Sequence, residues 1–207
     1  MNRLLVNSHT SLKHTDNSAW PDLFVVNDFL EPIVCEQVVS ELSAAEGRSS
    51  LVYGSSPAGV VADTTRTSLR LTPSNKTVTL ITSRLLASMP DIAKHFDVRL
   101  SECEDPQFLR YETGAFFVAH QDGNTGLLRL DTERRLVSTV IFLSRESESP
   151  QAGAHCGGSL VFTNLRDISK FRLHADPGTL IAFPSETTHE VTPVTHGERY
   201  SIVSWYR

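Results

Sequence analysis

The chain has 207 residues, of which 40% are hydrophobic and 21% charged, with a formal net charge of −5. This supplies one sizeable core but not a second large domain, so the expectation is a polar arm over 1–19 and one domain over 20–207. Interspersed charges of both signs give no basic stripe for a phosphate backbone, and no run nears the ~18–20 apolar residues of a membrane span, so neither nucleic acid nor membrane is an expected partner.

The first ten residues contain only a three-residue apolar run, Leu4 to Val6, too short for the core of a secretory signal. Cys35, Cys103 and Cys156 are odd in number and lack motif spacing, which suits reduced thiols and a cytoplasmic setting. Leu23 to Val26 reads as a strand. From Pro32, a first-turn proline, apolar positions Ile33, Val34, Val38, Leu42 and Ala45 recur at helical spacing, predicting an amphipathic helix to Glu46 that Gly47 ends. Gly54 to Ser68 is rich in Gly, Ser and Pro and is expected to be irregular, a natural lid if it borders a site. Val78, Ile81, Leu85 and Leu86 predict a second helix over 75–89, stopped by Pro90.

From Gln107 onward β-rich runs take over: 108–111, 116–120, 136–143, 159–162, 171–173, 179–183, 189–194 and 200–206. Gly and Pro punctuate them at the intervals of a jelly-roll barrel, so the fold class expected is α+β: a double-stranded β-helix, cupin-like, over about 107–207, braced by the N-terminal helices. The connector 144–158, with Arg145, Glu146, Glu148 and Pro150, reads as exposed and mobile.

His120 and Asp122 are separated by one residue, which on an extended strand turns both side chains to the same side. With His189 they form a set of two imidazoles and one carboxylate, able to hold divalent iron on one face and leave other positions open. A second His-x-Asp, His174 to Asp176, is followed by Pro177-Gly178 and Pro184 and reads as a strand end and turn. His155 beside Cys156 has no companion thiol to make a zinc site and reads as a loop histidine.

Arg199 opens the last extended run, on which Arg199, Ser201, Val203 and Trp205 face one way. A guanidinium fork pairs bidentately with a carboxylate and a neighbouring hydroxyl adds a third bond, so Arg199 with Ser201 is a fitting receptor for the distal carboxylate of 2-oxoglutarate.

Five blocks in order, Gln107 to Asp122, Arg135 to Leu143, Gly157 to Phe162, Pro177 to Phe183 and His189 to Ser201, resemble the iron(II)/2-oxoglutarate-dependent dioxygenases, in particular their prolyl 4-hydroxylase-like branch. Asp63 to Ser68 is similar to an Arg-Thr-Ser element preceding the core in that branch. The resemblance implies His120, Asp122 and His189 as catalytic iron ligands and Arg199 as the partner of 2-oxoglutarate. Tyr111 and Ser201 are implied as helpers at the co-substrate, and Arg66 and Thr67 as candidate substrate contacts.

It further implies Fe(II) as cofactor, 2-oxoglutarate and O2 as co-substrates, ascorbate as a candidate stimulant, and hydroxylation of an unactivated C–H bond with release of succinate and CO2. The substrate expected is prolyl, with a small amino-acid-like or natural-product molecule as the alternative. The carboxylate of Asp122 occupies the position a halide would need, which disfavours halogenation. Three departures stand out: Ile141 and Phe142 replace a tyrosine of some relatives, Arg199 stands where collagen-type enzymes use lysine, and Ser159 follows the Gly-Gly pair where an acid is usual. These weaken a collagen-like substrate, not iron binding. A non-catalytic cupin-like binding protein and a zinc hydrolase are the readings from other classes, and neither accounts for Arg199. The oligomeric state is not readable.

Overall fold

A computed structural model describes residues 21–51, 64–123 and 134–207. The expected arm over 1–19 and most of the 54–68 segment lie outside the described residues. In chain order the elements are β1 (Phe24–Val26), α1 (Pro32–Ser43), β2 (Gly47–Ser49), β3 (Leu69–Leu71), α2 (Asn75–Phe96), β4 (Gln107–Tyr111), β5 (Phe117–His120), β6 (Val137–Phe142), β7 (Arg145–Glu146), β8 (Ala154–Gly157), β9 (Leu160–Thr163), β10 (Lys170–Leu173), β11 (Leu180–Pro184), β12 (His189–Val191), β13 (Val194–His196) and β14 (Arg199–Tyr206).

Period-2 patterning sorts the strands into layers. A seven-stranded sheet runs β1-β11-β6-β14-β4-β3-β2, and a four-stranded sheet runs β10-β9-β12-β5. Between them pack Val25, Val140, Phe142 and Ile181 from the larger sheet and Leu160, Phe162 and Leu173 from the smaller. This is the expected jelly-roll, with side chains of both sheets filling the space between. The other face of the large sheet buries Phe108, Ile141, Ile202 and Tyr206 against Leu42 of α1 and Ile81, Leu85 and Ile92 of α2.

The helices differ from expectation at their ends. The first stops at Ser43, with Ala44 as its cap, because residues 47–49 leave to pair with β3. Gly47 permits that approach: a Cβ there would lie 3.0 Å from Leu69 Cβ. The second begins at Asn75, where the Ser74 hydroxyl accepts the Thr77 N–H, but it continues through Pro90 to Phe96. A proline removes one backbone donor. Beyond it, buried Ile92 and His95, the latter with its Nε2 2.9 Å from Asp22 Oδ1, hold the last turns to the core. Asp97 then ends the helix in the left-handed conformation, φ 54°.

The 144–158 connector is not uniformly exposed. It contains β7 and β8, which with β13 form a three-stranded sheet, and His155 and Cys156 on β8 are buried. His155 is thus a strand residue, its Nδ1 2.9 Å from the Gly157 carbonyl.

Candidate active site

The sheets open at the mouth where β5 and β12 lie side by side. Their register pairs His120 directly with His189, and a bulge follows before Val191 meets Phe117. Asp122, just past the end of β5, is held by its own N–H donating to the Ser185 carbonyl at 2.9 Å, while Gln121 Nε2 donates to the Glu186 carbonyl at 2.6 Å. One ligand atom from each of His120, Asp122 and His189 falls within 4.8 Å of the others. His120 Nε2 is 3.5 Å from Asp122 Oδ1, and His189 Nε2 is 3.6 Å from Oδ2.

Both rings are oriented by backbone. Nδ1 of His120 lies 2.8 Å from the Val118 carbonyl and Nδ1 of His189 lies 2.9 Å from the Thr187 carbonyl. A carbonyl only accepts, so each Nδ1 carries the proton and each Nε2 presents a bare lone pair. Two nitrogen lone pairs and a carboxylate then face one another with no donor between them among the described residues, an arrangement that calls for a cation. The donor set of two imidazoles and one carboxylate fits divalent iron.

Electrostatics agree. Burial pushes His189 down to about 4, keeping the ring neutral. Burial alone would raise the Asp122 pKa, but the histidines against its two oxygens hold it far below the usual carboxylate range. His120 stacks on Phe117 at 3.5 Å, and His189 meets the Phe183 ring edge-on at 4.8 Å, so aromatic walls fix both ligands.

The triad opens into a cavity of about 350 Å³. Its floor includes Leu109 and Tyr111 of β4 and Arg199, Ser201, Val203 and Trp205 of β14, the face read from the alternation. Arg199 is 3% exposed, and its Nη1 donates to Ser201 Oγ at 2.8 Å. Its Cζ lies 5.2 Å from the Tyr111 ring centroid and 5.6 Å from that of Phe142. Among the described residues no carboxylate pairs with it, and burial lowers its pKa. A buried guanidinium without a counter-ion is costly, so the site invites an anion.

Gly158, at φ 66°, makes room for Arg199: a Cβ there would stand 3.0 Å from Arg199 Cδ and 2.8 Å from a Val194 methyl. The acid absent at position 159 is met from elsewhere, since Ser159 Oγ donates to Glu146 of β7 at 2.5 Å.

Arg66 also lines the cavity; its Nε donates to Ser68 Oγ at 2.7 Å and its Cζ lies 4.7 Å over Phe117. Thr67 is not on the wall, and its hydroxyl accepts the Phe116 N–H at 3.0 Å, tying the segment to the barrel. His174 stands apart from the triad, 3.8 Å from Glu146. Sequence reasoning passed over Phe117, Arg135 and the role of Trp205, all on the cavity wall. Alternation flagged Trp205, whereas Arg135 owes its place to Glu104, 31 residues away, which no local pattern reveals.

Comparison with known proteins agrees with this geometry. The sequence profile of the 2OG-Fe(II) oxygenase superfamily matches residues 106–207. A PKHD-type hydroxylase of Gloeothece citriformis is 30% identical over 183 residues, covering 88% of this chain and 77% of that protein. One from Burkholderia ambifaria is 36% identical over 101 residues, covering 48% of this chain but only 41% of its own length. The crystal structure of a Pseudomonas putida prolyl-4-hydroxylase superposes with a TM-score of 0.63 at 24% identity, covering 91% of this chain and 94% of that one. Among the described residues no helix is long and apolar enough to cross a membrane.

Proposed function

This chain belongs to the 2OG-Fe(II) oxygenase superfamily, and from that premise we propose that it is an iron(II)- and 2-oxoglutarate-dependent hydroxylase acting on a prolyl C–H bond. The observation that carries the reading is the convergence of His120, Asp122 and His189 beside a buried arginine with no carboxylate partner among the described residues. In this assignment the triad holds the metal and Arg199, helped by Ser201, receives the distal carboxylate of 2-oxoglutarate. Iron with 2-oxoglutarate and dioxygen supplies the oxidising chemistry, yielding succinate, CO2 and a hydroxylated product.

The chain's own contribution is geometric and electrostatic. The Val118 and Thr187 carbonyls fix the tautomer of both histidines, and Asp122 stays anionic to offset metal charge. Tyr111 and Phe142 flank the Arg199 guanidinium, so the carboxylate it pairs with is shielded from water and the ion pair strengthened. Leu109, Val140, Leu160, Val191 and Val203 line the cavity with apolar surface that excludes water from the reacting centre. Arg66, beside the triad on the Phe117 ring, is the candidate substrate contact; Thr67 supports its segment instead.

Prolyl-type chemistry is favoured by the likeness to PKHD-type hydroxylases and to a prolyl-4-hydroxylase. The test is to incubate the iron-loaded protein with 2-oxoglutarate and either prolyl peptides or free proline. Gain of one oxygen by a peptide, matched by succinate, supports the proposal. Gain by free proline alone gives a small-molecule oxygenase, and no succinate with any substrate contradicts the hydroxylase reading.

A further inference from the structure

Trp205 carries a buried polar atom that the reaction as described leaves unused. The residue is 6% exposed, and its Nε1 is one of four buried side-chain polar atoms without a hydrogen-bond partner among the described residues. It shares the cavity wall with Asp122. Asp122 is the one carboxylate on that wall among the described residues, and it does not accept the indole N–H. A buried N–H left short of an acceptor needs a reason.

One face of the indole is clamped. Arg135 lies over it with Cζ 3.7 Å from the ring centroid. Arg135 in turn donates through Nε and Nη2 to the two carboxylate oxygens of Glu104, each at 2.7 Å, and Arg207 Nε donates to the same carboxylate at 2.9 Å. A bidentate pair of this kind fixes the guanidinium plane. A cation over the ring draws electron density from the indole and makes its N–H a better donor.

We propose that Trp205 is a positioning residue for Asp122: its Nε1–H donates to the carboxylate oxygen that Asp122 does not give to the metal, and the Arg135–Glu104 pair holds the indole in place for this. The proposal rests on the reading that His120, Asp122 and His189 bind a divalent metal. In this structure both carboxylate oxygens face histidine nitrogens, at 3.5 and 3.6 Å, and neither accepts the indole N–H. Committing one oxygen to a metal frees the other to accept. An outer hydrogen bond on a ligating carboxylate limits it to one oxygen and is worth about 10–100-fold in metal affinity.

The experiment is an anaerobic titration of Co(II) into the metal-stripped full chain, read by its visible absorption, for wild type, Trp205→Phe and His189→Ala. Phenylalanine keeps the apolar ring and deletes the donor. The expected result is a dissociation constant raised about 10–100-fold in Trp205→Phe, with a cooperative thermal transition retained. Wild-type affinity in that folded variant, with His189→Ala defective, overturns this proposal alone. Wild-type affinity in His189→Ala overturns the triad reading as well.

Should Trp205→Phe fail to fold, the wild-type protein decides by nitrogen-15 NMR with Zn(II). The chain has two tryptophans, so Trp20→Phe assigns the indole signals. A downfield shift and slower exchange of the Trp205 N–H on metal binding supports the proposal, and an unmoved signal refutes it.

Discussion

The two faces of β14 differ in chemistry from one residue to the next. Tyr200, Ile202 and Tyr206 point to the helices, where they join Leu85, Ile81 and Phe108 in the main core. Arg199, Ser201, Val203 and Trp205 point to the cavity, carrying a guanidinium, a hydroxyl and an indole N–H. The first face is stabilised by burial of apolar surface and is complete as it stands. On the second, the Arg199 charge and the Trp205 donor are buried without a full partner among the described residues, and in the proposed function that unmet demand is where ligands go. In the proposed function a single strand thus serves folding on one side and chemistry on the other, and substitutions on its two sides should separate the two properties.

The largest effect expected is from His189→Ala, which removes a metal ligand: turnover falls below detection by succinate release, while the thermal transition of the metal-free protein persists. Next is Ile202→Ala on the opposite side of the same sheet, at a position with no exposure. It should cost about 2–5 kcal/mol in denaturant unfolding while leaving 2-oxoglutarate affinity unchanged in the molecules that remain folded. If it changed that affinity tenfold, the independence of the two faces would be lost.

An intermediate effect belongs to Glu104. Burial alone would raise its pKa from the ordinary 4.5, but Arg135 and Arg207 outweigh it and lower the value. A carboxyl with a depressed folded pKa contributes stability that is present above its ordinary value and lost as pH falls through the folded one. Stability should therefore fall on acidification below about pH 4.5, and Glu104→Gln should flatten part of that fall and cost about 1–3 kcal/mol at neutral pH. A pH–stability curve parallel to wild type would count against it. The smallest effect is Ser201→Ala, which removes one hydroxyl from Arg199. We expect KM for 2-oxoglutarate to rise about fivefold, or ~1 kcal/mol, with kcat nearly constant.

Much of the candidate site's placement could be read before the structure because it lies on or beside strands whose period is two. His120 and Asp122 share a side, and Arg199, Ser201 and Trp205 share another, as alternation requires. What escaped depends on distant partners. Residues 47–49 and 69–71 are too short to show a pattern and become strands only by pairing with each other and with β4. Pro90 looked like a stop, yet the burial of Ile92 and His95 outweighs the missing donor. The 144–158 connector read as exposed from its charges, while β8 is buried by pairing with β13, which lies about 40 residues further on. Arg135 is ordered by Glu104 and Trp205 across the sheet, a relation visible only in three dimensions.

The central claim is that the triad and Arg199 together form one receptor for iron(II) and 2-oxoglutarate. The most direct test is anaerobic titration of both into the apo-protein, following the weak visible metal-to-ligand charge-transfer band, with Arg199→Ala alongside. A band in wild type that needs a more than tenfold higher 2-oxoglutarate concentration in the variant is the predicted result. Bound iron with no band in wild type, or an identical titration in Arg199→Ala, would contradict the account.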